Sequence, residues 1–305
     1  MAKINAALQL YTVREQLKND FAGTIHQVAK IGYRAIEAGA AADLNKAKAD
    51  RKVYDDAGLK VSGCMPGIDL LEKDLGKVLD EAEILGTKNV IVPWMPEERR
   101  KDAAGWKACA ATMEKLGAGC QNRGFEFAYH NHSFEFAKFD GKTGMDIFYE
   151  NCHPKLVRAE VDTYWVKHGG VDVVPYLHQL GKRILIVHLK DMLAGPERRF
   201  AAVGTGTIDF AGVLAAAEKY EVKWAVVEQD QCYDLPPIEA AKSSLDYLRK
   251  LGAEYPATPG AVGSLPISAR QGDLYEAGSC VCRWRRGYSA GKPGGAGAGE
   301  DNRRS

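Results

Sequence analysis

Short apolar runs alternate with longer amphipathic stretches along the first 252 residues of the chain. Several of the apolar runs follow a glycine, as in Gly58-Leu59-Lys60-Val61 and Gly124-Phe125-Glu126-Phe127. Glycine just past a helix end adopts the left-handed conformation at little cost, so this punctuation is typical of a helix that gives way to a strand. The pattern predicts eight strands, at Ile4–Tyr11, Ala35–Glu37, Lys60–Cys64, Asn89–Val92, Glu126–His130, Leu156–Asp162, Ile184–Leu189 and Trp224–Glu228.

Between these strands, apolar residues recur at the spacing of a helix, so each segment is predicted to contain one. Leu70 to Leu85 carries such a stripe, Asp209 is a predicted N-cap, and Ile238 to Leu251 predicts the last helix. Eight strand–helix units in about 250 residues predict an α/β fold, the (β/α)8 TIM barrel, with residues 1–252 as its single domain. A doubly wound open sheet is the alternative, but no Gly-x-Gly-x-x-Gly turn follows the first strand.

Four predicted strands end on a side chain that can bind a metal: His130, Asp162, His188 and Glu228, at intervals of 32, 26 and 40 residues. The carboxyl ends of barrel strands meet at one rim, where barrel enzymes keep their catalytic groups. One such residue alone is more often a helix cap or a surface charge, whereas four on successive strand ends favour a metal site. Two carboxylates and two imidazoles suit Mn²⁺, Co²⁺, Zn²⁺ or Fe²⁺, with Mg²⁺ as an alternative.

Two further side chains lie two residues beyond candidate ligands and therefore share their strand faces. His132 either carries a proton or is a loop residue held by Glu135. Lys190 either contacts an anionic oxygen of a substrate or pairs with Asp191 at the surface. The sequence allows both interpretations for each of these two residues.

Other candidates lie around the predicted rim. Gln9, Tyr11 and Glu37 end the first two strands and are placed to line a pocket. Trp165 either covers a sugar ring or is a core aromatic beneath a loop. The segment Gly204-Thr205-Gly206-Thr207 follows the seventh strand, where many barrels bind phosphate through backbone N–H groups, but a flexible turn explains it equally well.

Composition narrows the class of protein. The 305 residues include 41 basic and 40 acidic side chains, so the net charge of +1 argues against nucleic acid or an anionic membrane as a partner. The N-terminus lacks the pattern of a signal peptide, and no apolar run has the length of a membrane span. We therefore expect a cytoplasmic protein. Its seven scattered cysteines do not suggest a disulfide framework.

The composition changes near the C-terminus. Residues 253–305 are rich in glycine and arginine and have no hydrophobic periodicity, so we expect a disordered tail. Cys280-Val281-Cys282 has no partner pair and is interpreted as two free thiols. An unrelated reading frame is an alternative origin of this tail.

Five motifs together resemble the sugar phosphate isomerase/epimerase family of xylose isomerase-like TIM barrels, over about residues 4 to 252. They are Leu8-Gln9-Leu10-Tyr11-Thr12-Val13-Arg14, Tyr129-His130-Asn131-His132-Ser133-Phe134-Glu135-Phe136, Glu160-Val161-Asp162-Thr163-Tyr164-Trp165, His188-Leu189-Lys190-Asp191 and Gly204-Thr205-Gly206-Thr207-Ile208-Asp209-Phe210.

The family's usual ligands are Glu, Asp, His and Glu on the last four strands, and by motif they fall on His130, Asp162, His188 and Glu228. His130 departs from the family pattern, in which two glutamates flank the substrate as acid and base. The resemblance is for that reason nearer to inosose dehydratases and to lyases or hydratases of 3-keto sugars.

The resemblance implies a divalent-metal-dependent isomerase or epimerase that acts on a keto-sugar or sugar derivative through an enediolate. Glu228 is the candidate base and His132 the candidate acid or second base, while Lys190 would stabilise the enediolate. Gln9, Glu37 and Trp165 are the other candidates for binding the sugar or cyclitol substrate.

The alternatives are a dehydratase or lyase acting on a keto-inositol or 3-keto-glycoside, and a non-catalytic sugar-binding barrel. A nuclease with a basic groove is disfavoured by the balanced charge. The outer helices of such barrels often pair, which leaves a homo-oligomer as an expectation.

Overall fold

The computed structural model of the chain describes residues 4–253. Eight parallel strands close into a barrel in chain order, with the last strand paired to the first. The strands are Asn5–Gln9, Ala35–Gly39, Lys60–Met65, Asn89–Val92, Glu126–His130, Arg158–Asp162, Ile184–Leu189 and Trp224–Val227. The predicted barrel is therefore confirmed, whereas the predicted tail lies outside the described residues from position 254 onward.

Helices cover the outside of the barrel, and six of the ten described helices begin at a side chain that caps them. Asp209 accepts a hydrogen bond from the Gly212 N–H, which confirms the predicted N-cap. The helices are Arg14–Asn19, Phe21–Lys30, Leu44–Asp56, Ile68–Leu85, Ala103–Asn122, Gly144–Glu150, Thr163–His168, Val173–Leu180, Phe210–Lys219 and Pro237–Lys250. Within residues 4–253, none of them combines the length and apolar content that a membrane span requires.

The first strand ends earlier than predicted, at Gln9 instead of Tyr11. The Gln9 side chain accepts a hydrogen bond from the backbone N–H of Tyr11, and Leu10–Val13 forms a 3-10 turn. A local side-chain contact of this kind competes with the strand ladder. As a result, Tyr11 leaves the barrel wall and lies at the surface.

Two hydrophobic layers hold the fold together. The larger lies between the barrel and its helices, and includes Ile25, Leu79, Met113 and Phe210. The smaller fills the barrel interior with Ala7, Ala35, Ile91, Ala128, Ile186 and Val226. Alanine at three of these interior positions keeps the layer thin and leaves the space toward the strand ends to polar side chains.

Two short hairpins extend from the rim. One pairs Lys138–Phe139 with Lys142–Thr143, and the other pairs Asp191–Met192 with Phe200–Ala201. The second hairpin begins directly after the seventh strand and its Lys190, and it brings Phe200 to the rim.

Candidate functional site

A layer of polar side chains lies above the apolar layer of the barrel interior, two residues further toward the C-terminal end of each strand. Successive side chains of a strand alternate between faces, so a residue two positions beyond an interior one also faces inward. The shift leads from Ala7 to Gln9 and from Ala128 to His130, and likewise to Glu37, His188 and Glu228 on their strands. Five inward polar side chains are therefore stacked on the barrel core near the strand ends.

The four predicted metal ligands come together at this level. Donor atoms of His130, Asp162, His188 and Glu228 all lie within 4.8 Å of one another, and all four side chains are buried. In the strand register Asp162 is opposite His188, which explains how residues 26 positions apart in the chain become neighbours. Two carboxylates and two imidazoles are therefore close enough together to bind a single metal ion.

Asp162 presents one of its two carboxylate oxygens to the cluster. Its Oδ1 caps the helix Thr163–His168 by accepting from the Trp165 N–H at 2.9 Å, and its own N–H donates to the Asn131 side chain at 3.0 Å. Its Oδ2 is buried and has the Lys190 ammonium as an ion-pair partner 3.1 Å away. This oxygen thus already faces a cation, and a donor set of two carboxylates and two imidazoles fits a divalent metal.

Glu160 was not among the predicted site residues, although it lies at the centre of the cluster. Its Oε2 is 2.9 Å from His130 Nδ1 and 3.2 Å from His188 Nε2, and the side chain is fully buried. His188 Nε2 also lies 2.7 Å from Glu37 Oε2. One carboxylate thus contacts two candidate ligands from the core side. The signal in the sequence was its position two residues before Asp162, on the same strand face.

Lys190 is buried and balanced by carboxylates from three positions. Its Nζ lies 3.1 Å from Asp162 Oδ2, 2.9 Å from Glu228 Oε2 and 3.0 Å from Asp230 Oδ1. The pairing with Asp191 considered from the sequence is absent from the described contacts of Lys190. Asp230, two residues past Glu228, is a second site residue that the sequence reasoning missed.

These contacts fix the charges on three groups. Burial opposes ionisation of Glu228, but the charge of Lys190 and the contact with His188 outweigh it and hold the pKa of Glu228 well below its usual value. Burial likewise opposes the charge on His188, yet Glu160 and Glu37 raise the pKa of His188 well above its usual value. The carboxylates of Asp162, Glu228 and Asp230 overcome burial and raise the pKa of Lys190.

The remaining groups shift toward their neutral forms. Burial, reinforced by the charge of His188, lowers the pKa of His130 well below its usual value. Burial and the charge of Glu37 raise the pKa of Glu160 well above its usual value. Burial also raises the pKa of Asp162 to about 6, against the opposing charge of Lys190. For Glu160 and Asp162, burial thus outweighs the nearby cations His188 and Lys190.

A cavity of about 780 Å³ opens onto this cluster from the rim. Its walls include the predicted residues Gln9, Tyr11, His130, His132, Trp165, Lys190 and Glu228, together with Arg14, Trp94, Phe200, Asp230 and Gln231. Glu37 lies outside this lining, since its side chain is fully buried and accepts from Gln9 Nε2 at 2.8 Å. Glu37 instead contacts His188 of the cluster, with Oε2 2.7 Å from His188 Nε2.

His132 lies in the cavity wall as one member of an aromatic group. Its ring stacks on Phe134, with centroids 5.4 Å apart, and lies 5.2 Å from the Trp165 ring. Glu135 accepts from the backbone N–H of His132, not from its ring, and the ring Nδ1 has no partner among the described residues. Burial lowers the pKa of His132 to about 4, which leaves a neutral imidazole at neutral pH.

The glycine-rich segment after the seventh strand is explained by a local contact. Asp191 accepts hydrogen bonds from the backbone N–H groups of Gly204, Gly206 and Ile208, at 3.0, 2.8 and 3.2 Å. A Cβ added at Gly206 would lie 2.4 Å from Asp191 Oδ1, so glycine is required for this approach. The structure thus supports the turn interpretation of this loop, because its N–H groups serve a side chain of the protein itself.

Comparisons with known proteins identify relatives of this chain. Inosose dehydratase of Geobacillus kaustophilus (strain HTA426) is 26% identical over 267 residues, which cover 74% of this chain and 86% of that protein. Inosose dehydratase of Mesomycoplasma hyopneumoniae (strain 7448) is 30% identical over 162 residues, 47% of this chain and 53% of that protein. The chain therefore spans about half the length of this second relative.

A solved structure of a sugar phosphate isomerase/epimerase from Parabacteroides distasonis ATCC 8503 has the same fold. Its TM-score is 0.70 at 22% identity, with 82% of this chain and 94% of that chain covered. The family model of the xylose isomerase-like TIM barrel matches residues 25–251. The chain therefore belongs to the xylose isomerase-like TIM barrel family, and its relatives are enzymes.

Proposed function

We propose that the protein is a divalent-metal-dependent enzyme that removes the proton next to the carbonyl group of a sugar or cyclitol and forms an enediolate. The observation that carries this proposal is the convergence of His130, Asp162, His188 and Glu228 within 4.8 Å at the floor of the cavity. A divalent metal held there would act as a Lewis acid that polarises a carbonyl and acidifies the neighbouring C–H.

The protein's own side chains supply the proton transfers. Glu228 faces the cavity and has a depressed pKa because Lys190 and His188 stabilise its charge, so it is ionised and available as a base. The ammonium of Lys190, 2.9 Å from Glu228 Oε2, is placed to stabilise negative charge that develops on a substrate oxygen. Neutral His132 on the neighbouring wall would accept or relay the second proton.

Two products are open to the same enediolate. Return of a proton to the neighbouring carbon gives isomerisation or epimerisation, which is the function predicted first from the sequence. Loss of a β-hydroxyl, which leaves as water with the proton that Glu228 has taken from the substrate, gives dehydration. A specific observation favours it as the second candidate. The two proton-transfer groups, Glu228 and His132, are a carboxylate and an imidazole and not a pair of glutamates. In addition, relatives that match 74% and 47% of this chain are named inosose dehydratases.

The experiment is proton exchange in deuterated water. A ketohexose and a keto-inositol are incubated with Mn²⁺-loaded protein, and NMR follows loss of the α-proton signal and the products formed. Exchange is expected with wild type and should fall by a factor of about 100 or more in Glu228→Gln. His132→Gln should retain metal yet lose product formation. Exchange that is equal in wild type and Glu228→Gln would reject the proposal.

A further inference from the structure

The cavity has a buried end and an exposed end with different chemistry. At the buried end His130, Glu228 and Lys190 are at most 7% exposed. At the other end Tyr11 is 51% exposed and Trp94 is 49% exposed. Both aromatic residues line the same cavity as the buried groups. A ligand that reaches the floor would therefore extend past two aromatic rings on its way out.

Trp94 is the more available of the two rings. It follows the fourth strand and Pro93, and within residues 4–253 its side chain makes no hydrogen bond or ring contact. Tyr11 has Arg14 over one ring face, with the guanidinium carbon 4.1 Å from the centroid. Large aromatic surface left open in a cavity is typical of a ligand contact, since such rings contribute much of the binding energy in pockets.

The cation at this end is already engaged. Arg14 Nη1 donates to the Tyr11 carbonyl oxygen at 2.9 Å, and its Nε lies 3.7 Å from the Glu15 carboxylate. Lys190 lies at the floor beside Asp162, Glu228 and Asp230, where it would serve the reacting sugar and not a distant phosphate. Asp230 also lines the cavity and is paired with this ammonium at 3.0 Å.

The backbone groups that many barrels use for phosphate are also occupied. The N–H groups of Gly204, Gly206 and Ile208 donate to the internal carboxylate of Asp191. In a ketose 5- or 6-phosphate, the phosphate is at the opposite end of the carbon chain from the C2 carbonyl. If the carbonyl reacts at the floor, the phosphate would lie toward Tyr11 and Trp94, among aromatic side chains.

We infer that the exposed end of the cavity binds a second, uncharged ring, so that the substrate is an unphosphorylated sugar or cyclitol with a ring substituent. The substituent presents an apolar face, either of a second sugar or of an aromatic aglycone, to Trp94 and Tyr11. This inference rests on the proposed function, because it takes the reacting sugar to be at the floor.

Binding to the full-length, Mn²⁺-loaded protein tests the inference. Isothermal titration calorimetry compares methyl β-glucoside, phenyl β-glucoside, cellobiose and glucose 6-phosphate. The ring-bearing ligands should bind about tenfold more tightly than methyl β-glucoside, and glucose 6-phosphate should bind more weakly than either. Phenyl β-glucoside and cellobiose distinguish an aromatic from a sugar substituent, and a preference for either one supports the inference.

Variants locate the effect. Trp94→Ala should remove the preference for ring-bearing ligands, while Trp94→Phe should retain most of it. Leu235→Ala is the matched control, because Leu235 is 39% exposed and lies outside the cavity lining. Tighter binding of glucose 6-phosphate, an unchanged preference in Trp94→Ala, or no binding of any of the four ligands would overturn the inference.

The two proposals fail in different ways. A ring preference without α-proton exchange on any keto-sugar would reject the proposed reaction and support the binding of a second ring. Exchange accompanied by a preference for the sugar phosphate would reject the second ring alone.

Discussion

His130 and Glu160 form a buried pair at the floor of the cavity, in which Glu160 Oε2 lies 2.9 Å from His130 Nδ1. Burial lowers the pKa of His130 and favours its neutral form. The contact with Glu160 fixes the orientation of the ring, and the ring Nε2 lies 3.8 Å from Asp162 Oδ2. Carboxyl groups orient metal-binding histidines through contacts of this kind, and we propose that Glu160 does so for His130, which stands at a position where the family usually has glutamate.

Replacing Glu160 should weaken metal binding without removing a ligand. In Glu160→Gln an amide replaces the carboxyl group whose Oε2 contacts both His130 and His188, which should disturb the orientation of the two rings. We therefore expect the Kd for Mn²⁺ to rise about 10- to 100-fold. Calorimetric titration of metal-free protein measures the change. Glu218→Gln, on an exposed position of the helix Phe210–Lys219, is the matched control. An unchanged Kd in Glu160→Gln would show that the pair does not orient the site.

Lys190 should stabilise the metal-free protein and become less important when metal is bound. Lys190→Met leaves Asp162, Glu228 and Asp230 buried without their shared cation, which should lower the free energy of unfolding by about 3–5 kcal/mol. A dication at the same carboxylates would offset much of that loss. Denaturation with urea, with EDTA or with Mn²⁺, measures both values. Equal destabilisation in the two conditions would contradict this role.

Glu135 should make stability depend on pH. Burial raises the pKa of Glu135 to about 7, although Tyr129 and the His132 N–H donate to the carboxylate. Because the pKa of Glu135 is higher in the folded than in the unfolded protein, this group stabilises the fold most at low pH, and that contribution is lost as the pH rises from about 4.5 through 7. The difference between the two pKa values corresponds to about 3 kcal/mol of unfolding free energy.

Glu135→Gln is neutral at every pH and isolates this contribution. The difference in unfolding free energy between wild type and Glu135→Gln should decline by about that amount from pH 5 to pH 8. Urea denaturation in EDTA at both pH values provides the measurement. A difference that stays constant across this range would mean that Glu135 titrates normally.

The barrel could be predicted from the sequence because hydrophobic residues recur at different spacings in its strands and its helices. The apolar runs also located the strand ends approximately. The same period explains why His130, Asp162, His188 and Glu228 converge. Alternation could also have found Glu160, two residues before Asp162, but a charged residue inside a strand gives no sign of its partners.

Contacts between distant segments were harder to predict. Lys190 was expected to interact with a substrate or with Asp191, its neighbour in the chain. The hairpin that starts at Asp191 instead directs that carboxylate to the loop at Gly204, while the barrel register brings Asp162 and Glu228 to Lys190. Closure of the barrel decides these partners, and a local pattern does not contain that information.

Metal binding by Asp162→Asn tests the central claim most directly. Asparagine retains an oxygen that can cap the helix Thr163–His168 but removes the charge offered to a cation. Titration with Mn²⁺, followed by electron paramagnetic resonance, should show saturable binding of about one ion per wild-type chain and at least a tenfold loss of affinity in Asp162→Asn. Circular dichroism in EDTA should show that Asp162→Asn is still folded. Absence of saturable binding in wild type, or equal affinity in the two proteins, would contradict a metal site at these strand ends.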